Sequence, residues 1–591
     1  MRKSIATVSV SGTLTDKLAA VAAAGFDGVE IFENDLLTCP LPPEEIRLRA
    51  ADLGLTIELY QPLRDVEAMP VLDVRRVERK FDLMRRLGAD LLLVCSNVSP
   101  LAVDSDELAA EHLRLLASRA AEHGIRIAYE ALAWGRHVNE YLRAWRIVHL
   151  ADHPNLGTCL DSFHILSRGS DPIGIEAIPG EKIFFLQLSD APLLAMDVLQ
   201  WSRHHRCFPG QGNFDVAGLV RHALTAGYTG PLSLEVFNDH FRQADAGRIA
   251  RDGMRSLIAL EQGLQGLAHP AVPRGFAFAE LGGTGSSKGA ASSKGGGSLV
   301  AALAALGFER AGAHPTKPVE LWAQGGARLL LHDTAADRPQ QADGPALIAI
   351  GLDSPDPAGA VKHAEALLSP VLPRERTPQE APLDAVAAPD GTEIFFCDTA
   401  WLGDFAPPTT ATREHADLTH IDHVALTQPP HYFDEAALFY RTVLGLRPQE
   451  SLELPDPYGL LRSRAMSGGG NVRMVLNLAQ VGAGDTPWQH IALAARDLTA
   501  TARRLRAEHP GLLLPIPANY YDDLEARHDV DPALRELGIL YDRDEHGEFL
   551  HLYTVTIGRV FFEIVQRIGD YQGYGAVNAP IRLAVQHAGS H

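Results

Sequence analysis

Between residue 3 and about residue 260 the chain alternates eight short apolar runs with amphipathic segments, and this alternation narrows the possible folds more than any other feature. The runs are KSIATVSV at 3–10, GVEIFE at 28–33, LTIELY at 55–60, LLLVCSN at 91–97, RIAYEAL at 126–132, LGTCLDSFH at 156–164, IFFLQLSD at 183–190 and LSLEVFN at 232–238. Strands buried on both faces read as near-continuous Val, Ile, Leu and Phe, and helices between them imply parallel pairing through crossovers. Intervening segments such as TLTDKLAAVAAAG and DVRRVERKFDLMRRLG close on glycine, the residue favoured just past a helix end. Eight such units in roughly 250 residues match a closed (β/α)8 barrel, expected over residues 1–265.

A chain of 591 residues exceeds a single core. GLAHPAVPRG, after Gln262, reads as a connector with neither helical nor strand period. Residues 275–385 then hold FAFAEL, a low-complexity GTGSSKGAASSKGGGS expected to be a mobile loop, the helical SLVAALAALGF and the hairpin-like VELWAQGGARLLLH, and are expected to form one module. A second break at APPTTATREHAD opens a domain expected over 413–591, where β-α-β-β-β is read twice. The first pass is THIDHVAL, DEAALFYRTVLG, LRPQESLEL, YGLLRSRA and NVRMVLNLA; the second is WQHIALAA, DLTATARRLRAE, GILYDRD, EFLHLYTVT and RVFFEIVQR. Such a repeat implies paired modules in one curved sheet around a site. The fold class expected is therefore an α/β barrel followed by α+β modules.

The net charge of -21, from 53 basic and 74 acidic residues, opposes binding to nucleic acid or to an anionic membrane surface, so the expected partner is a small molecule. Five cysteines without a C-x-x-C pair indicate neither a disulfide framework nor a thiolate metal site and fit a reducing cytoplasm. The opening MRKSIATVSVSGTLTDK develops no signal-peptide core, and no run approaches membrane-spanning length.

Glu130, Asp161, Gln187 and Glu235 stand near the ends of the fifth to eighth runs. Barrels of this class build their sites at the carboxyl ends of the strands, and a carboxylate inside an apolar run needs a partner. Neighbouring strand ends can share one ion, and three carboxylates with an amide suit Mn²⁺, Co²⁺ or Mg²⁺ better than a thiophilic metal. Strand capping or pairing with a loop arginine is the competing explanation for any one of them. Glu30, Glu33, Tyr60 and Gln61 are read as lining of the mouth.

These positions resemble the sugar phosphate isomerase/epimerase barrel superfamily, whose Glu, Asp, His-or-Gln, Glu set they match; Gln187 stands where many members carry histidine. Together with the C-terminal half, the chain resembles the bacterial two-part 3-dehydroshikimate dehydratases of quinate and shikimate catabolism. The resemblance implies metal-dependent loss of water from 3-dehydroshikimate to give protocatechuate, which requires an electrophile on the ketone, a base for the adjacent C–H and an acid for the departing hydroxyl. His164, three residues after Asp161, is the candidate for proton transfer or for holding a substrate hydroxyl, against the common role of a core histidine. In RHHRCFPGQG the resemblance marks Arg206 for the substrate carboxylate, with His204 and His205 as neighbours. A sugar or polyol isomerase or epimerase on the same metal is the alternative.

His423, His490 and Glu563 fall on the first strand of one repeat and on the first and last strands of the next. Two histidines and a carboxylate form the facial triad of non-haem iron oxygenases. His420 is expected on the opposite face, because an odd separation along a strand changes faces. FYRTVLGL, IPANYYDDL and FFEIVQRIGDYQGYGAVN resemble 4-hydroxyphenylpyruvate dioxygenase of the vicinal oxygen chelate superfamily. That resemblance implies a second divalent metal, Mg²⁺ or Fe²⁺, held by His423, His490 and Glu563, and a degenerate, metal-free module over 275–385. A dioxygenase in this half is a further alternative, and association into a homo-oligomer is expected.

Overall fold

The computed structural model describes residues 1–267, 272–283, 299–332, 344–407, 417–457, 459–479 and 488–589. The chain separates into two compact units, Met1–Ala268 and His269–His591. The Gly/Ser/Lys stretch read as a mobile loop lies, beyond its first glycine, outside the described residues.

In the first unit, β1 (Lys3–Ala6), β2 (Gly28–Phe32), β3 (Thr56–Leu63), β4 (Leu91–Cys95), β5 (Arg126–Glu130), β6 (Leu156–Asp161), β7 (Ile183–Leu188) and β8 (Leu232–Leu234) form a closed barrel in sequence order. All eight apolar runs supply a strand. The first strand is shorter than its run, since Thr7–Ser9 turns into a 3-10 helix. There the hydroxyls accept backbone N–H groups from the next and last units, Thr7 Oγ1 from Phe32 and Ser9 Oγ from Val236. Inside the barrel Leu59, Leu91, Leu93, Ala128, Cys159 and Phe185 pack into an apolar layer. The helices start and stop as their sequences dictate. Thr13 and Asp16 form a capping box before Leu14–Ala23, and Gly88, at φ 80°, closes Val74–Leu87 in the left-handed conformation.

The second unit contains two eight-stranded sheets. One is built from β9 (Gly275–Gly282), β10 (Glu309–Ala313), β11 (Val319–Gln324), β12 (Ala327–His332), β13 (Ala346–Asp353), β14 (Val371–Leu372), β15 (Asp384–Ala387) and β16 (Glu393–Cys397). The other is built from β17 (Leu418–Thr427), β18 (Arg447–Asp456), β19 (Gly459–Ser467), β20 (Arg473–Ala479), β21 (Gln489–Ala495), β22 (Leu540–Arg543), β23 (Gly547–Tyr553) and β24 (Val560–Gly569). Their strand orders correspond position for position: β10-β11-β12-β9-β13-β16-β15-β14 and β18-β19-β20-β17-β21-β24-β23-β22. The C-terminal repeat is as expected. The middle segment is not one module ending at 385, because that residue lies inside β15 and the sheet continues to Cys397. It holds two β-α-β-β-β passes, the second using the helix Pro357–Ala366 and a β14 of only two residues. Among the described residues no helix is long and apolar enough to cross a membrane.

Candidate metal and ligand sites

A cavity of about 890 Å³ opens at the carboxyl end of the barrel, where Glu130, His164, Arg206 and Glu235 line it. Asp161 ends β6 and also caps the short helix Ser162–Leu166, its Oδ1 accepting from the N–H groups of Phe163 at 2.6 Å and His164 at 3.2 Å. This strand-to-helix switch fixes His164 beside the carboxylates. One donor atom each from Glu130, Asp161 and His164 falls within 4.8 Å of the others.

Arg206 is 1% exposed and is not a solvated loop charge. Its Nη1 donates to Asp161 Oδ2 at 2.8 Å, to Glu235 Oε2 at 3.0 Å and to the Glu235 carbonyl at 3.2 Å. Its Nε and Nη2 both reach Ser202 Oγ, and its plane lies over the Phe163 ring at 4.6 Å. The guanidinium assigned in sequence to a substrate carboxylate is thus engaged with the protein's own carboxylates. Of its neighbours, His204 pairs with Asp239 at 2.9 Å on the cavity rim, whereas His205 is not part of the lining.

Burial pushes the Glu130 carboxyl well above its ordinary value, and repulsion from Asp161 and Glu235 adds to this. Glu235 is raised to about 7 by burial, with Arg206 opposing. Asp161 is buried as well, yet Arg206 and His164 hold it below the usual range. His164 is lowered to about 3 by burial, against the pull of Asp161, and is neutral. Its Nδ1 faces the Ala133 N–H at 3.2 Å and its Nε2 the Arg206 Nη2 donor at 3.3 Å, with Asp161 Oδ2 at 3.7 Å and Glu130 Oε1 at 3.9 Å from Nε2.

Gln187 lies level with Asp161 on β7, but its Nε2 donates to Glu30 Oε2 at 2.6 Å and its Oε1 accepts from the Cys159 thiol at 3.3 Å. Glu30 is not mouth lining. It is fully buried in the barrel interior, where it also accepts from Gln61 and Ser233 and burial raises it to about 8. Tyr60 is likewise buried away from the cavity, while Glu33, paired with Lys80, and Gln61 do line it. Sequence reading missed Arg64, just past the end of β3, which lines the cavity and whose guanidinium has no partner among the described residues. The rule that flagged the carboxylates, a polar residue late in a barrel strand, flags Arg64 too.

In the C-terminal sheet His423, His490 and Glu563 converge as expected. His423 Nε2 and His490 Nε2 lie 3.1 and 3.3 Å from Glu563 Oε2 and 3.3 Å from each other. Bonds of roughly 2.0–2.2 Å at right angles place donor atoms about 3 Å apart, so this triangle has the dimensions of one face of an octahedral site. His420 is exposed and stays outside it. A second layer, also missed, orients the triad. Asp422 Oδ1 receives His423 Nδ1 at 2.9 Å and is gripped by Arg567, while Glu563 Oε1 receives His551 Nδ1 at 2.7 Å. His551 Nε2 in turn faces Asn578 Nδ2 at 2.9 Å. Burial drives His490 down to about 4. Burial would raise Glu563, yet His423 and the hydrogen bonds from all three histidines hold it well below the ordinary carboxylate range.

Both donor sets suit a cation. Glu130 Oε1 is buried without any hydrogen-bond partner, and a cationic guanidinium already bridges Asp161 and Glu235. Fold and site together therefore define a carboxylate-centred barrel joined to a vicinal oxygen chelate half, and the comparisons agree. The xylose isomerase-like TIM barrel family matches residues 18–260, and the glyoxalase/bleomycin resistance protein/dioxygenase superfamily matches 420–546. Proteins named 3-dehydroshikimate dehydratase from Pseudomonas putida and Pseudomonas aeruginosa are each 45% identical, covering 99% of this chain and 98% of their own. A solved xylose isomerase-like TIM barrel/4-hydroxyphenylpyruvate dioxygenase fusion protein is 42% identical, covers 100% of both chains and superposes with a TM-score of 0.90. The chain belongs to the 3-dehydroshikimate dehydratase family of two-part enzymes.

Proposed function

We propose that the barrel removes water from 3-dehydroshikimate and that aromatisation then gives protocatechuate. The observation that carries this reading is the buried cluster of Glu130, Asp161 and Glu235 around a neutral His164, in a cavity that also presents Arg64, whose guanidinium has no partner among the described residues. A divalent cation such as Mn²⁺, Co²⁺ or Mg²⁺ held by Glu130, Asp161, Gln187 and Glu235 supplies Lewis acidity to the ketone oxygen when bound. Glu30 occupies the amide nitrogen of Gln187, so the amide oxygen is the atom left for that role.

The chain's own groups supply the rest. Arg64 offers a bidentate fork for the substrate carboxylate, a requirement that a polyol substrate would not impose. Arg206 anchors Asp161 and Glu235 and keeps charge balanced as the site fills. His164 presents its Nε2 beside the carboxylate cluster and Arg206, where the neutral ring can hold a substrate hydroxyl. In the C-terminal half, His423, His490 and Glu563 are the set for a second cation, Mg²⁺ or Fe²⁺.

The test is to follow absorbance of the purified protein with 3-dehydroshikimate and Mn²⁺, Mg²⁺ or Co²⁺, before and after chelation, beside Glu235→Ala. Protocatechuate should form, and should vanish both with EDTA and with the substitution. No product with any of the three metals would overturn the assignment.

A further inference from the structure

The middle sheet carries a cavity of its own, of about 200 Å³. Strands β9, β11 and β12 wall it, and Trp401, Asp404 and Phe405 close it from the segment after β16. The corresponding strands β17, β19 and β20 and the segment after β24 enclose the cavity beside the C-terminal triad, so the two sheets share a hollow as well as a strand order. Several charges in the middle cavity are matched internally. Glu280 pairs with His332 at 2.7 Å, and Glu380 with Lys317 at 2.5 Å. Arg374 and Asp404 are not matched in this way. Arg374 lays its guanidinium over the Phe395 ring at 4.6 Å and donates to the Leu383 carbonyl at 3.3 Å, while Asp404 takes the Ala381 N–H at 3.1 Å. Among the described residues no side chain of opposite charge forms an ion pair with either. Arg376 and Asp384 add one more charge of each sign at the exposed edge.

Three features narrow the occupant. Arg374 and Asp404 face the same His314 ring: its pKa is lowered first by burial and further by Arg374, while Asp404 raises it, so the two charges stand at one end of the cavity. From that end a row of rings leads inward, Phe405 at 5.7 Å from His314, Trp401 at 5.9 Å from Phe405 and Phe278 at 4.9 Å from Trp401. At ~30 Å³ per water the cavity holds the volume of about seven waters, room for one amino acid and not for a nucleotide. An arginine calls for a carboxylate, an aspartate for an ammonium, and aromatic walls for a flat, polarisable body. One small molecule supplies all three when both charges sit on a single carbon. We propose that the middle cavity binds an aromatic α-amino acid, its carboxylate on Arg374, its ammonium on Asp404 and its ring against Phe405 and Trp401. The site needs no metal and does not depend on the barrel's reaction.

The full-length, metal-loaded protein is titrated calorimetrically with L-phenylalanine and with two analogues that each lack one charge, 2-phenylethylamine and 3-phenylpropionate. A charged hydrogen bond of ordinary strength corresponds to roughly 10–100-fold in affinity, so each analogue should bind that much more weakly. L-Alanine, which keeps the charged head and lacks the ring, should not bind at concentrations that saturate with L-phenylalanine. Arg374→Met should erase the advantage over 2-phenylethylamine, and Asp404→Asn the advantage over 3-phenylpropionate. No binding of L-phenylalanine at millimolar concentration, affinity equal to that of either analogue, or isotherms unaltered by both substitutions would overturn the proposal. Should Asp404→Asn fail to fold, Arg374→Met at the exposed edge and the analogue series on the wild type decide.

Discussion

Replacing Arg206 with methionine should destabilise the metal-free barrel far more than the metal-loaded one. Methionine keeps much of the aliphatic volume and removes the guanidinium that contacts Asp161 at 2.8 Å and Glu235 at 3.0 Å. Removing one partner of a buried ion pair costs about 3–5 kcal/mol, because the other charge stays desolvated. Here two carboxylates lose their shared partner and a third, Glu130, stands close by. For a domain of this size 1 kcal/mol moves Tm by roughly 2–4 °C, so the barrel transition should fall by about 6–20 °C in EDTA. The loss should grow with pH. Asp161, which Arg206 holds below its ordinary value, joins Glu130 and Glu235 among carboxyls raised by burial. A raised carboxyl costs nothing below its unfolded pKa, and stability declines as pH climbs toward the folded value. A bound divalent cation supplies the missing charge, so saturating Mn²⁺ should recover most of the deficit. Calorimetry of Arg206→Met and wild type at pH 6 and 8, with EDTA and with Mn²⁺, reads all of this. A deficit below about 1 kcal/mol in EDTA, or one equal at both pH values with and without Mn²⁺, refutes the reasoning.

Two other perturbations separate structural from ligand-holding roles. Glu67 is buried, accepts from the Asn97 N–H at 2.6 Å and the Tyr129 hydroxyl at 3.1 Å, and is raised by burial from 4.5 to about 7. It should cost nothing below pH 4.5 and progressively more up to pH 7, so Glu67→Gln should gain up to about 3 kcal/mol on wild type between pH 4.5 and 7.5 by urea unfolding; a pH-independent difference would count against it. Asp422→Asn weakens the charged partner of His423 Nδ1 and should lower metal affinity at the C-terminal triad about 10–100-fold. Chelator competition in a Glu235→Ala background isolates that site, and an unchanged affinity there would mean that Asp422 does not orient the ligand.

The barrel and its carboxylates were legible because each departs from a simple background. A charged side chain in a run such as RIAYEAL is conspicuous, and the barrel converts a position late in a strand into a position at the mouth. What escaped notice was what those side chains touch. Arg206 sits in a loop sequence that reads as solvated, yet the turn after β7 folds it under Phe163, and no local pattern encodes that return. Glu30 is separated by 157 residues from the Gln187 amide it holds, so only closure of the barrel reveals the pair. The second pass of the middle sheet was hidden because β14 spans two residues and offers no period.

Among the described residues a His/His/Glu triad is found on the C-terminal sheet and not on the middle one, and packing distinguishes the two. His423, His490 and Glu563 stand on β17, β21 and β24, whose counterparts by strand order are β9, β13 and β16. β13 and β16 read ALIAIGLD and EIFFC, and Phe278 of β9 meets Trp401 at 4.9 Å and Phe395 of β16 at 5.7 Å. Bulky rings thus line a cavity of about 200 Å³ on the middle sheet, whereas the C-terminal sheet brings His423, His490 and Glu563 together at a cavity of about 190 Å³. Burying those rings stabilises the middle sheet, while the C-terminal sheet instead buries His423, His490 and Glu563, polar groups that need partners.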